Sequence, residues 1–143
     1  MIGLTSVSLK GLSKKDEKKK RLLLGFDNFS IRALGWKAPR LVEYATKNKV
    51  DALLFSDLDV YESFDHGYLR EIGQEVKKQK IILHAGTGGI CQTSKSFKDK
   101  HGTAEEHLRL LIKVTKSLGS SVARCYLGSS KDRKTEGGIR KHM

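Results

Sequence analysis

The apolar positions of this chain follow two alternating rhythms. In Arg21–Phe29 (RLLLGFDNF), Leu22, Leu23 and Leu24 run on without polar interruption. Val50–Leu58 (VDALLFSDL) and Lys80–His84 (KIILH) do the same, and Ser121–Leu127 (SVARCYL) is a fourth short run. Continuous runs of this length predict strands covered on both faces, as in parallel sheets. Between them the spacing changes to that of a helix. Pro39–Asn48 carries Leu41, Val42 and Ala45 at helical intervals, with Pro39 at a favoured first-turn position. Tyr68–Gln79 carries Leu69, Ile72 and Val76, with lysines at the carboxyl end where the helix dipole favours them. Thr103-Ala104-Glu105-Glu106 is a capping box that opens a third helix to Ser117, and Gly119 is its stop. Gly137–Met143 has the look of a further helix start.

The predicted order is therefore β-α-β-α-β-α-β, with short turns after helices and longer loops after strands. SIRALGWKA, DVYESFDHG, the glycine-rich stretch from Gly86 to Gly89, and Gly128–Arg133 are those loops. Such alternation implies an α/β fold of parallel strands joined by right-handed crossovers. A doubly wound sheet and part of a (β/α)8 barrel both fit. A full barrel takes about 250 residues, and this chain has 143. The expectation is one domain over residues 21–143, with about four of the eight units of a TIM barrel: a half barrel. Residues 1–20 read as a basic, disordered extension, because SKKDEKKK has nothing to bury.

Charge changes this picture little. The net charge is +12, which invites a nucleic-acid partner. Seven basic residues in Lys10–Arg21 against Asp16 and Glu17, and five in Lys131–Lys141 against Asp132 and Glu136, supply most of the excess. Basic ends without interleaved aromatic residues argue against a specific nucleic-acid surface. No window is long and apolar enough for a membrane span, and the amino terminus lacks the basic and apolar blocks of a signal peptide. Cys91 and Cys125 stand alone, as reduced thiols would, so a cytoplasmic location is expected.

Four segments in order then carry a resemblance. GFDNFSIRALGWKA, DALLFSDLDVYE, IILHAGTGG and RCYLGSSKDR together resemble the strand tips of the xylose isomerase-like barrel superfamily of sugar phosphate isomerases and epimerases, which also includes endonuclease IV-type DNA repair enzymes. The resemblance runs from about Arg21 to Met143 and rests on the four segments jointly. It implies a divalent-metal enzyme (Mn, Mg, Co or Zn) acting on a small sugar or polyol. It also implies that the metal carboxylates and histidine come from later strands, so this chain corresponds to the amino-terminal half of such a barrel. On that reading it is a truncated sugar (phosphate) isomerase/epimerase-like protein, inactive and metal-free by itself. The alternatives are an endonuclease IV-like DNA-processing relative, or a non-catalytic half barrel that pairs with itself or a partner through its open edges.

Five residues are substrate-binding candidates. Alternation places Ile82, His84 and Gly86 on one face of their strand. If that face is the barrel interior, His84 stands at its mouth; otherwise it is a histidine bonded to backbone at a strand end. A metal site needs three or four converging ligands, so His84 is at most a contributor to one. Glu62 belongs to an acidic cluster with Asp57 and Asp59, suited to sugar hydroxyls or to general acid/base work, and equally to a solvated loop. Asp27, beside Asn28, either orients substrate or caps a turn. Trp36 offers an apolar wall for a sugar, or packs over the barrel mouth. Arg124 lies within a strand and needs a partner if buried; Arg133 beside Asp132 fits the surface. The glycines are no phosphate-loop signature, since Ile90-Cys91 stand where lysine and Ser/Thr belong.

Overall fold

A computed structural model describes residues 21–142; the basic extension predicted over 1–20 lies outside the described residues. Four parallel strands form one sheet in the order of the sequence: β1 (Gly25–Asp27), β2 (Ala52–Phe55), β3 (Ile82–Gly89) and β4 (Ala123–Tyr126). They alternate with α1 (Ala38–Lys47), α2 (His66–Lys78), α3 (Ala104–Leu118) and α4 (Glu136–His142). A doubly wound sheet would reverse its strand order at a switch point. Here each crossover moves one strand in the same direction, so right-handedness sets α1, α2 and α3 side by side on a single face. This is the arrangement of half a β/α barrel.

The core lies between that face and the helices. Leu53 and Phe55 of β2 and Leu83 and Ala85 of β3 point into it. They meet Leu41, Val42 and Ala45 of α1, Leu69, Ile72 and Val76 of α2, and Leu111, Val114 and Leu118 of α3. The alternate strand positions, Ala52, Leu54, Ile82 and His84, face the other way. No helix of the described residues covers them, and Ile82 is 44% exposed.

Three boundaries differ from the sequence expectation for local physical reasons. The first strand begins at Gly25, not Arg21, and Leu22, Leu23 and Leu24 are 85, 59 and 70% exposed. β1 is an edge strand, so an apolar run ahead of it has a neighbour on one side only. α2 starts two residues before Tyr68, because the carboxylate of Asp65 accepts the amide N–H groups of Gly67 and Tyr68. β3 runs on through Gly89, so the glycine-rich stretch is strand and not loop. The first loop likewise contains a 3-10 helix, Asn28–Leu34, capped by Asp27. The capping box of Thr103 and Glu106 is formed as expected, and Gly119 ends α3 with φ of 70°.

One packing contact sets the spacing of two helices. A Cβ at Gly73 of α2 would stand 2.2 Å from the carbonyl oxygen of Leu118, so α2 meets the end of α3 backbone to backbone. Replacing Gly73 with alanine must push the helices apart, although alanine is the better helix former. The G73A variant is expected to lose about 1–3 kcal/mol of stability, read as a lower thermal midpoint by circular dichroism. An unchanged or raised midpoint would show that the helix pair yields freely.

Candidate functional site at the carboxyl ends of the strands

Asp27 ends β1 and pairs in register with Leu54, which pairs with His84. Gly86, two residues beyond His84, pairs with Arg124. In-register parallel neighbours point the same way, so Asp27, His84 and Arg124 share the face that the helices leave uncovered. The Arg124 guanidinium reaches Asp27 at 3.5 Å, across both intervening strands. A flat sheet would hold β1 and β4 about 14 Å apart; the pair closes because the sheet curls toward this face, as a barrel wall does.

Glycine makes that reach possible. A Cβ at Gly86 would lie 3.4 Å from Arg124 Nε and 3.1 Å from its carbonyl oxygen, so the side chain folds over bare backbone. Its guanidinium carbon also sits 5.4 Å from the Tyr126 ring centroid. Arg124 is one-third exposed. One contact of 3.5 Å is far from a bidentate carboxylate pair, and most of the five N–H donors of the guanidinium remain available to a ligand. His84 is half-buried, with its ring on the same wall.

Tyr126 also borders a cavity of about 220 Å³ between the β2 and β3 tips and the long β3–α3 connection. Thr87, His107, His101, Asp57 and Lys98 contribute to its lining. Thr87 and His107 are buried, and Thr87 Oγ1 lies 2.6 Å from His107 Nε2. The His101 ring stands edge-on to His107 at 5.1 Å and to Phe64 at 5.7 Å. Lys100 donates to Asp59 at 2.6 Å and holds its carboxyl below the usual carboxylate range. That contact ties the β3–α3 connection to the β2 tip. Burial, with the neighbouring His101, pushes the His107 imidazole below its ordinary value.

The two remaining candidates sit elsewhere. Trp36 packs edge-on to Tyr44 of α1 at 5.4 Å with Arg40 stacked on it, on the outer side of the domain. Glu62 is exposed, and its contact is with the Tyr68 hydroxyl at 3.5 Å. The Thr87–His107 pair escaped sequence reasoning because His107 is on the inward stripe of a helix, where a histidine reads as a break in the pattern. The signal available was its place one turn into α3, aimed at the strand that precedes it. Asn28, which the sequence offers with Asp27 as a substrate-orienting or turn-capping residue, accepts the Ser56 amide N–H at 2.7 Å and so links the first two strand tips.

Among the described residues, no three His, Cys, Asp or Glu side chains converge to hold a metal ion. The divalent metal implied by the resemblance has no ligand set among these residues. Among the described residues no helix is long and apolar enough to cross a membrane. Comparison with protein-family models and with characterised proteins finds no match.

The lowered His107 value has a signed consequence. The unfolded chain takes up the proton first, so stability is full above the ordinary histidine value of about 6.5 and falls as pH drops from there toward the folded value. Denaturant melts across pH 5–8 are expected to show this loss, and His107→Gln should flatten it. An NMR titration placing His107 at or above an ordinary histidine would refute the assignment.

Proposed function

We propose that this chain is the substrate-holding half of a sugar isomerase/epimerase-type β/α barrel, and that it binds a small phosphorylated sugar or polyol at the carboxyl ends of β1–β4. The observation that carries this reading is Arg124: a cation on the uncovered wall, folded over glycine backbone, held by one loose carboxylate contact. Its free donors suit the oxygens of a phosphate. The glycine floor lets a ligand approach the backbone closely. His84 and Asp27 on the same wall are placed to bond hydroxyl groups. The resemblance of the four strand tips supports the same class of ligand. Moving a proton between neighbouring carbons also needs an electrophile, which this wall does not supply, so the reading is one of binding, with turnover dependent on strands that complete the barrel.

Calorimetric titration with a set of ketose and polyol phosphates, inorganic phosphate and the free sugars tests it. The phosphate esters should bind, and Arg124→Met should weaken them by about one to two orders of magnitude, the size of one or two hydrogen bonds to a charged group. Equal affinity in the variant, or no ester bound at all, would sink the reading.

A completing partner has its own support. Among the described residues β1 and β4 each leave one edge unpaired, and open edges seek strands. Most of the exposed large apolar side chains flank those edges: Leu22, Leu23, Leu24 and Phe29 beside β1, and Val122, Tyr126 and Leu127 beside β4. Two copies related by a two-fold axis would set each β4 beside the other β1 and close eight parallel strands. Light scattering over a hundredfold concentration range should then show a dimer; a monomer throughout, with a cooperative melt, would rule out self-pairing.

A further inference from the structure

The outer seam between α1 and α2 is an apolar groove of about 520 Å³ that none of the above uses. Pro39, Val42, Tyr68 and Ile72 line its floor, and Glu43, Glu71 and Glu75 stand around it. A rim with three carboxylates is out of character for a chain of net charge +12. The rim is only partly neutralised from within. Arg40 pairs with Glu43 at 2.5 Å and Lys78 with Glu75 at 3.7 Å, all on exposed side chains, where such pairs contribute roughly 0–1 kcal/mol. Lys47 also lines the groove, and Glu71 forms no ion pair among the described residues.

The groove opens where the described chain begins. α1 and α2 run opposite to the strands, so their carboxyl ends lie at the same end of the sheet as the start of β1. There Arg21 pairs with Asp51, and Asp51 also accepts the Leu24 amide N–H at 2.8 Å. Asp51 in turn lines a small hollow together with Thr46 and Gln79. Thr46 and Gln79 are also groove residues. A continuous path therefore leads from Arg21 along Asp51 into the groove.

We propose that residues 1–20 of this chain dock into the α1–α2 groove. Lys14, Lys15, Lys18, Lys19 and Lys20 would lie against Glu43, Glu71 and Glu75, and Leu4, Val7, Leu9 and Leu12 would cover the apolar floor. The segment has the right chemistry: five lysines that outnumber Asp16 and Glu17 next to Arg21, then apolar residues farther out. It also has the length. Twenty extended residues reach roughly 66–72 Å, whereas α1, with its 10 residues, is only about 15 Å long. The proposal is independent of what binds at the strand ends.

Carbodiimide cross-linking of the full chain, which joins a lysine amine to a carboxylate in contact with it, tests this directly. Monomeric product is isolated and its links mapped by mass spectrometry. Links from Lys14–Lys20 to Glu43, Glu71 or Glu75 are expected. They should fall several-fold at 1 M salt, where the screening length shrinks to about 3 Å. They should fall equally in Lys18→Glu/Lys19→Glu, which leaves the groove untouched, and in Glu71→Lys/Glu75→Lys, checked for fold by circular dichroism. Links confined to cross-linked dimers would overturn the proposal in favour of a second copy as occupant. Links scattered over acidic residues of other faces, or absent, would overturn it outright.

Discussion

Everything in this molecule follows from the hand of three crossovers. A parallel strand cannot be reached by a tight turn, and the connecting helix packs back onto the sheet in one sense only. Three crossovers of the same sense, each moving one strand over, put every helix on one side. The core then forms on that side, around Phe55, Leu69 and Leu111, and the opposite side is left to curl inward. The strand ends on that inner wall are where Asp27, His84 and Arg124 meet. Neither the shape of the wall nor its uncovered state needs a separate cause.

Much of this was readable from residue patterns. Helices declared themselves through periodicity and through caps: Thr103 and Glu106 at the start of α3 and Gly119 at its end did what their chemistry requires. The alternation of strand and helix was equally plain. Failures came where local pattern met the neighbourhood. Leu22–Leu24 has the composition of a buried strand, yet burial needs a neighbour on each side, and an edge has one. Gly86–Gly89 has the composition of a loop, yet pairing with β4 at Gly86 and Gly89 holds it extended. Both are cases of tertiary context overriding a local propensity.

The site was legible in part for the same reason. Alternation along one strand put His84 and Gly86 on a common face, and an arginine inside an apolar run announced that it needed a partner. What no single segment could reveal was that the partner is Asp27, nearly a hundred residues earlier in the chain, or that His107 would turn toward Thr87. Those contacts depend on the curl of the sheet and on the setting of α3 against β3. Trp36 illustrates the converse: an aromatic residue near a strand tip suggests a ligand wall, but α1 with Tyr44 and Arg40 was the nearer surface to cover.

The bare backbone at Gly86 carries an implication for how this chain can vary. A Cβ on residue 86 would meet the carbonyl oxygens of Arg124 at 3.1 Å and Phe55 at 3.3 Å more closely than the Arg124 side chain at 3.4 Å, so its tightest neighbours are backbone that stays in place whatever side chain position 124 carries. A lineage could exchange the arginine and still be held to glycine at the facing position. Position 124 should thus vary more freely than position 86, and a relative that lost its inward-facing cation would keep the glycine floor beneath it.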